Sequence, residues 1–150
     1  CIETRAGSWY ESLEEGERFD AIIATPPQTP GCRPFGPRYG GCDGAKHLLA
    51  VIDGAPRRLD PDRGRLWLVA ISIANLPAVM ARLRERFDAV EVVGETQRPF
   101  TAREYDGMEE GLFAYLDSLR RRGLAEFHEV FGGEYVFRNL FIRASGVKGP

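Results

Sequence analysis

This sequence is poor in the residues that make chemistry easy to read. Its 150 residues include only two histidines, two methionines, two tryptophans and three cysteines. Neither His47 nor His128 has a serine or cysteine partner suggested by sequence, so triad hydrolysis is not expected. Cys1, Cys32 and Cys42 form an odd, sparse set. That argues against a disulfide framework and fits free thiols in a reducing, cytoplasmic compartment. With no histidine at ligand spacing from the cysteines, no metal site is expected. No apolar run approaches the ~20 residues of a membrane span, and there is no signal-peptide pattern. The formal net charge of -2 gives no global field to attract nucleic acid or an anionic membrane. Phosphate loops are also missing. The chain has no Gly-x-Gly-x-Gly, and Lys46 is not followed by the Ser or Thr of a P-loop.

Hydrophobic residues make up 43%, enough for a core, and a single domain is expected over residues 1–150. Residues 2–6 alternate apolar and polar, a short strand signal. Residues 9–16 read as a polar connection. Residues 19–24 are apolar on both faces after Asp20, which suits a central strand of a parallel sheet. Residues 25–44 form a long loop holding Pro26, Pro27, Pro30, Pro34 and Pro37 and several glycines. Loops of that length inside a domain are usually functional. Asp43 reads as the N-cap of a helix over 45–59, which Pro56 should kink or shorten. A buried strand is predicted over 65–73. Asn75 should cap the next helix, with Pro77 in its first turn. A strand over 89–96, an irregular connection over 99–107, a helix over 108–123 and a strand over 135–143 complete the pattern. The tail from Ala144 is expected to fray. Phe127, Phe131, Tyr135, Phe137 and Phe141 read mostly as core. Alternating strands and helices predict an α/β layer fold with a mostly parallel sheet.

The run Phe19-Asp20-Ala21-Ile22-Ile23-Ala24 stops at Thr25-Pro26-Pro27-Gln28. A strand's C-terminal edge is where open α/β sheets bind ligands. The stretch resembles the Asn-Pro-Pro-Tyr signature of class I S-adenosylmethionine-dependent methyltransferases. Tyr39-Gly40-Gly41-Cys42-Asp43-Gly44 is similar to the Gly-Gly-x-Asp-Gly segment of release-factor glutamine methyltransferases. The turn over 60–64 resembles the one before their fifth strand. On that plan, residues 2–6, 19–24, 65–73, 89–96 and 135–143 look like strands three to seven. The resemblance implies a Rossmann-like sheet, mostly parallel with an antiparallel last strand. It also implies that the chain is the C-terminal part of a methyltransferase domain, with strands one and two and the cofactor's glycine loop upstream of Cys1.

The implied cofactor is S-adenosylmethionine, and the implied catalytic elbow is Thr25, Pro26, Pro27 and Gln28. Prolines fix their own φ and push the preceding residue towards extended backbone, which gives a stiff elbow with free carbonyls. Thr25 stands where the family has Asn or Asp, and Gln28 where it has an aromatic. Ser8, Trp9 and Thr25 are the implied cofactor contacts. The methyl acceptor is left open between a small molecule and a protein, and homo-oligomer formation is left open as well. Arg120, Arg121 and Arg122, with Arg138 and Arg143, read either as an RNA-facing patch or as a solvated helix end. The alternative is a non-catalytic or truncated methyltransferase-like module that binds a protein or RNA partner.

Overall fold

The structure is a computed structural model and describes residues 2–148. The elements run β1 (Ala21–Ala24), α1 (Lys46–Gly54), β2 (Arg65–Ile71), α2 (Leu76–Arg86), β3 (Phe87–Thr101), α3 (Ala102–Asp106), α4 (Leu112–Arg121), β4 (His128–Phe131) and β5 (Glu134–Val147). They build a mixed α/β fold around an open five-stranded sheet of order β1-β2-β5-β3, with β4 pairing β5 off that path.

The pairing corrects the expected mostly parallel sheet. Among the strands of the described residues only β1 and β2 pair in parallel, with Ala24 opposite Leu68. The last strand, β5, is antiparallel to β2, β3 and β4. Its place inside the sheet, rather than at an edge, makes antiparallel pairing dominant. β1, β2 and β3 nevertheless point in one direction, since β2 and β3 both oppose β5.

Local signals decide several boundaries. Asn75 caps α2, its side chain accepting the Ala78 N–H at 3.2 Å. Pro56 ends α1 as expected, and the chain tightens into a 3-10 turn over Ala55–Arg57. Asp43 is not the helix cap. Its carboxylate accepts the Ala45 N–H at 3.1 Å, and Ala45 itself sits at the cap position. The helix expected over 108–123 is the shorter α4, which starts after Gly111, whose φ of 78° no β-branched residue would tolerate, while the irregular connection expected over 99–107 holds the end of β3 and the short helix α3.

Other expectations fail because strands need partners that local pattern does not supply. Residues 2–6 are exposed and form no strand. β3 runs through Pro99, which a sheet edge tolerates because its missing N–H is not needed by a neighbour. β5 continues to Val147, and Ala144 is fully buried, so this tail is not frayed. β4 falls where the sequence pattern predicts no strand. Gly132 and Gly133, both at positive φ, turn it back onto β5 as a hairpin.

Two apolar clusters hold the layers together. Leu66, Leu68 and Ala70 of β2 pack against Leu48 and Ile52 of α1 and Leu83 of α2. Phe100, Phe127 and Phe137 meet Leu112, Leu116 and Leu119 of α4. Between them Ser72 is buried but satisfied. Its hydroxyl donates to the Glu126 carbonyl at 2.7 Å and accepts from the Arg138 N–H at 2.9 Å. Phe131 and Phe141, expected in the core, are exposed.

The sheet face opposite α1 and α2 is bare below β1. Ile23 is 79% exposed and, with Trp67, Val69 and Phe141, lines an apolar groove of about 210 Å³. The two faces therefore respond differently to truncation. Leu68→Ala is expected to cost about 2–5 kcal/mol. Ile23→Ala is expected to stay within about 0.5 kcal/mol. Urea unfolding of the two variants measures both.

Candidate functional site

The loop over 25–44 packs against the C-terminal ends of β1 and β2. Proline has no N–H, so Pro26 and Pro27 cannot extend the parallel ladder beyond Ala24. The Val69 carbonyl and the Ile71 N–H on β2 would then lack partners. Gln28 supplies them. Its Nε2 donates to the Val69 carbonyl at 2.7 Å, and its Oε1 accepts the Ile71 N–H at 2.9 Å. A primary amide suits this task because it carries both a donor and an acceptor. Gln28 is only 7% exposed, so its amide serves the fold and both its ends are occupied.

The glycine segment completes the anchor. A Cβ at Gly40 would stand 2.5 Å from Gln28 Cα, and one at Gly44 would collide with the Gln28 carbonyl. Gly44 also sits at a φ of 80°. Backbone can approach Gln28 this closely only without side chains. Asp43 then ties the loop to α2. Its carboxylate accepts Asn75 Nδ2 at 2.8 Å, and its carbonyl accepts the Asn75 N–H at 2.9 Å. The Tyr115 hydroxyl donates to the Cys42 carbonyl at 2.8 Å, and Arg33 pairs with Glu109. Cys32 and Cys42 are free, exposed thiols, and Cys1 lies outside the described residues.

Two hollows flank the elbow so anchored. One, of about 390 Å³, is lined by Trp9, Tyr10, Ala24 and Val51 together with Thr25, Pro26 and Pro27. The other, of about 350 Å³, is lined by Thr25, Pro26 and Pro27 again, with Thr29, Arg38 and Ile71. Thr25-Pro26-Pro27 is the wall they share. Thr25 is exposed, and Pro26 is buried.

Trp9 belongs to the first hollow and has a φ of 53°, the only non-glycine positive φ among the described residues. Backbone strain of this kind clusters at binding sites. Its ring lies 5.3 Å from that of His47. Tyr10 closes the floor. Its hydroxyl donates to the Val51 carbonyl at 2.8 Å, and burial pushes its pKa up to about 12, so it stays a donor at neutral pH. Ser8 does not line the hollow; its N–H is taken by Glu11 at 3.3 Å. The structure brings Trp9, Thr25, Pro26 and Pro27 together, places Ser8 apart and sets Gln28 in the lining of the second hollow with its amide turned to β2. No local pattern marks Tyr10 or Arg38 as lining residues.

Charge is scarce here. Arg38 is the one charged residue lining either hollow, and no carboxylate, lysine, histidine or cysteine lines them. Among the described residues no group of three or more His, Cys, Asp or Glu side chains could hold a metal ion. Among the described residues no helix is long and apolar enough to cross a membrane. Comparison with family models, curated proteins and solved structures finds no match.

Gln28→Ala leaves two buried backbone groups unpaired and is expected to destabilise the fold by about 2–4 kcal/mol. Thr25→Ala, at the exposed side of the same elbow, is expected to change stability by less than about 0.5 kcal/mol. Denaturant titration of both variants checks the contrast.

Proposed function

We propose that the chain carries the elbow of an S-adenosylmethionine-dependent methyltransferase. The observation that carries this reading is the pair of hollows divided by Thr25-Pro26-Pro27, one for the methyl donor and one for the acceptor. The apolar first hollow, with the half-exposed indole of Trp9 in its lining, fits the ring end of S-adenosylmethionine. It does not fit the cofactor's charged amino-acid end, because no charged side chain lines it. Groups outside this hollow must meet that end. When bound, the cofactor supplies a methyl group on a positively charged sulfur.

The chain's own residues do the positioning, which is most of what a displacement needs. Pro26 and Pro27 leave carbonyls at the wall with no competing N–H of their own. The Thr25 hydroxyl offers one further hydrogen bond to an acceptor. Gln28 also lines the acceptor hollow, and its amide, bonded to β2, holds this wall in place. Further support comes from the topology. The strands that resemble the family's fourth, fifth and sixth point one way, and the last strand opposes them. The Gly-Gly-x-Asp-Gly resemblance gains a physical basis in the packing of Gly40 and Gly44 on Gln28.

A second reading is favoured by the bare groove of Ile23, Trp67, Val69 and Phe141. It is an α/β module that docks a protein partner and has no cofactor. Calorimetric titration with S-adenosylhomocysteine separates the two. The methyl-transfer reading predicts saturable heat, and an affinity about tenfold lower or more for Trp9→Ala, since aromatic stacking on a base is worth ~1–3 kcal/mol. No heat from a folded chain would leave the docking module.

A further inference from the structure

We propose that the hollow on the Arg38 side of the elbow binds a carboxylate carried on an apolar body, with Arg38 as its anchor. The proposal rests on the methyl-transfer reading for its role as acceptor site, but the binding itself stands on separate observations.

The first is an unmatched cation. Many arginines of this chain are paired, among them Arg33 with Glu109, Arg82 with Asp53 and Arg138 with Glu95 and Glu126. Arg38 is exposed and, like Arg57, Arg84, Arg103 and Arg122, has no ion pair and no side-chain hydrogen bond among the described residues, but of these it is the one in the wall of the elbow hollow, which holds no carboxylate. A guanidinium has five donors in a planar fork that matches a carboxylate in two-point contact.

The second is placement. The backbone at Arg38 is held against the elbow, not on a free loop. The Thr29 N–H donates to the Arg38 carbonyl at 3.0 Å, the Gly40 N–H donates to the Thr29 carbonyl at 2.8 Å, and the Tyr39 N–H closes a turn on Gly36 at 3.1 Å. Thr29 follows Gln28 directly, so the amide that fixes the elbow also fixes the residue to which Arg38 is bonded.

The third is an adjoining apolar space. Arg38 and Pro37 also line a hollow of about 240 Å³ walled by Phe35, Gly36 and Met108. One ligand can place its charge at Arg38 and its apolar part beside Phe35 and Met108. Methionine adapts to irregular apolar shapes, which suits such a wall.

The chemistry agrees with the charge. The elbow hollow is lined by no carboxylate, histidine, lysine or cysteine, so it offers no side chain of a kind that serves as a base at neutral pH. An acceptor that must first lose a proton would find no group to take it. A carboxylate is already deprotonated and needs none.

The test is an amide-resonance titration of the intact chain with phenylacetate and, separately, with its neutral isostere phenylacetamide. The expected result is that phenylacetate shifts the amides of Thr29, Arg38, Tyr39 and Ile71, and that phenylacetamide binds at least fivefold more weakly. Arg38→Gln should weaken phenylacetate at least fivefold and leave phenylacetamide unchanged. Equal binding of acid and amide, shifts confined to another part of the chain, or no shift at all would overturn the proposal. The acid–amide comparison uses the unaltered chain, so it stands even if the variant folds poorly. Binding of S-adenosylhomocysteine without binding of phenylacetate would reject the carboxylate site alone. The reverse pattern would keep the anion site and reject its role in methyl transfer.

Discussion

The constraint on which the site depends is the pair of hydrogen bonds between the Gln28 amide and β2. Two consecutive prolines break a parallel ladder at the place where a ligand-binding edge begins. Without a replacement, Val69 and Ile71 would each keep a buried polar group unpaired, at about 1–3 kcal/mol apiece. Gln28 lets the chain leave the sheet sharply and still satisfy the sheet. The glycines at 40 and 44 follow from it, because the returning loop must pass within contact of the Gln28 backbone. Asp43 and Asn75 then carry the same anchor into the first turn of α2. A loop of this composition would otherwise be mobile; here its polar groups are engaged by β2, by the cap of α2 and by Tyr115 of α4.

The placement of β5 has a comparable effect on the whole sheet. It comes last in the sequence and yet pairs with three strands, so β2 and β3 are joined only through it. One face of the sheet is covered by α1 and α2, and α3 and α4 reach only part of the other. The uncovered part lies under β1, the strand that leads into the elbow. The apolar side chains there and the site at the end of β1 thus share one short strand, and anything seated in the groove would bear on the elbow through Ile23 and Val69.

Elements governed by their own residues were legible in the sequence. The Asn75 cap, the Pro56 break and the strand ending at Pro26-Pro27 each rest on a side chain acting within a few positions. The misses have the opposite character. Residues 2–6 alternate like a strand, but alternation does not provide a partner. The β4 hairpin did have a local signal in Gly132-Gly133, which the aromatic pattern around it masked. The role of Gln28 had none, because the groups it serves lie 41 and 43 residues away. Arg38 was equally silent: an arginine in a loop becomes informative only when its neighbours prove to carry no opposite charge. Sheet order was beyond periodicity as well, since an inserted last strand reads the same as an edge strand.

The central claim is that a side chain, not the backbone, continues the β1–β2 ladder and so holds the elbow. Hydrogen exchange at the Ile71 amide reads this directly. The account predicts slow exchange in the intact chain, comparable to other buried β2 amides, and at least tenfold faster exchange at Ile71 in Gln28→Ala, with Leu66 and Leu68 much less affected. Equal protection of Ile71 in the two proteins would contradict it and would leave the elbow held by the loop alone.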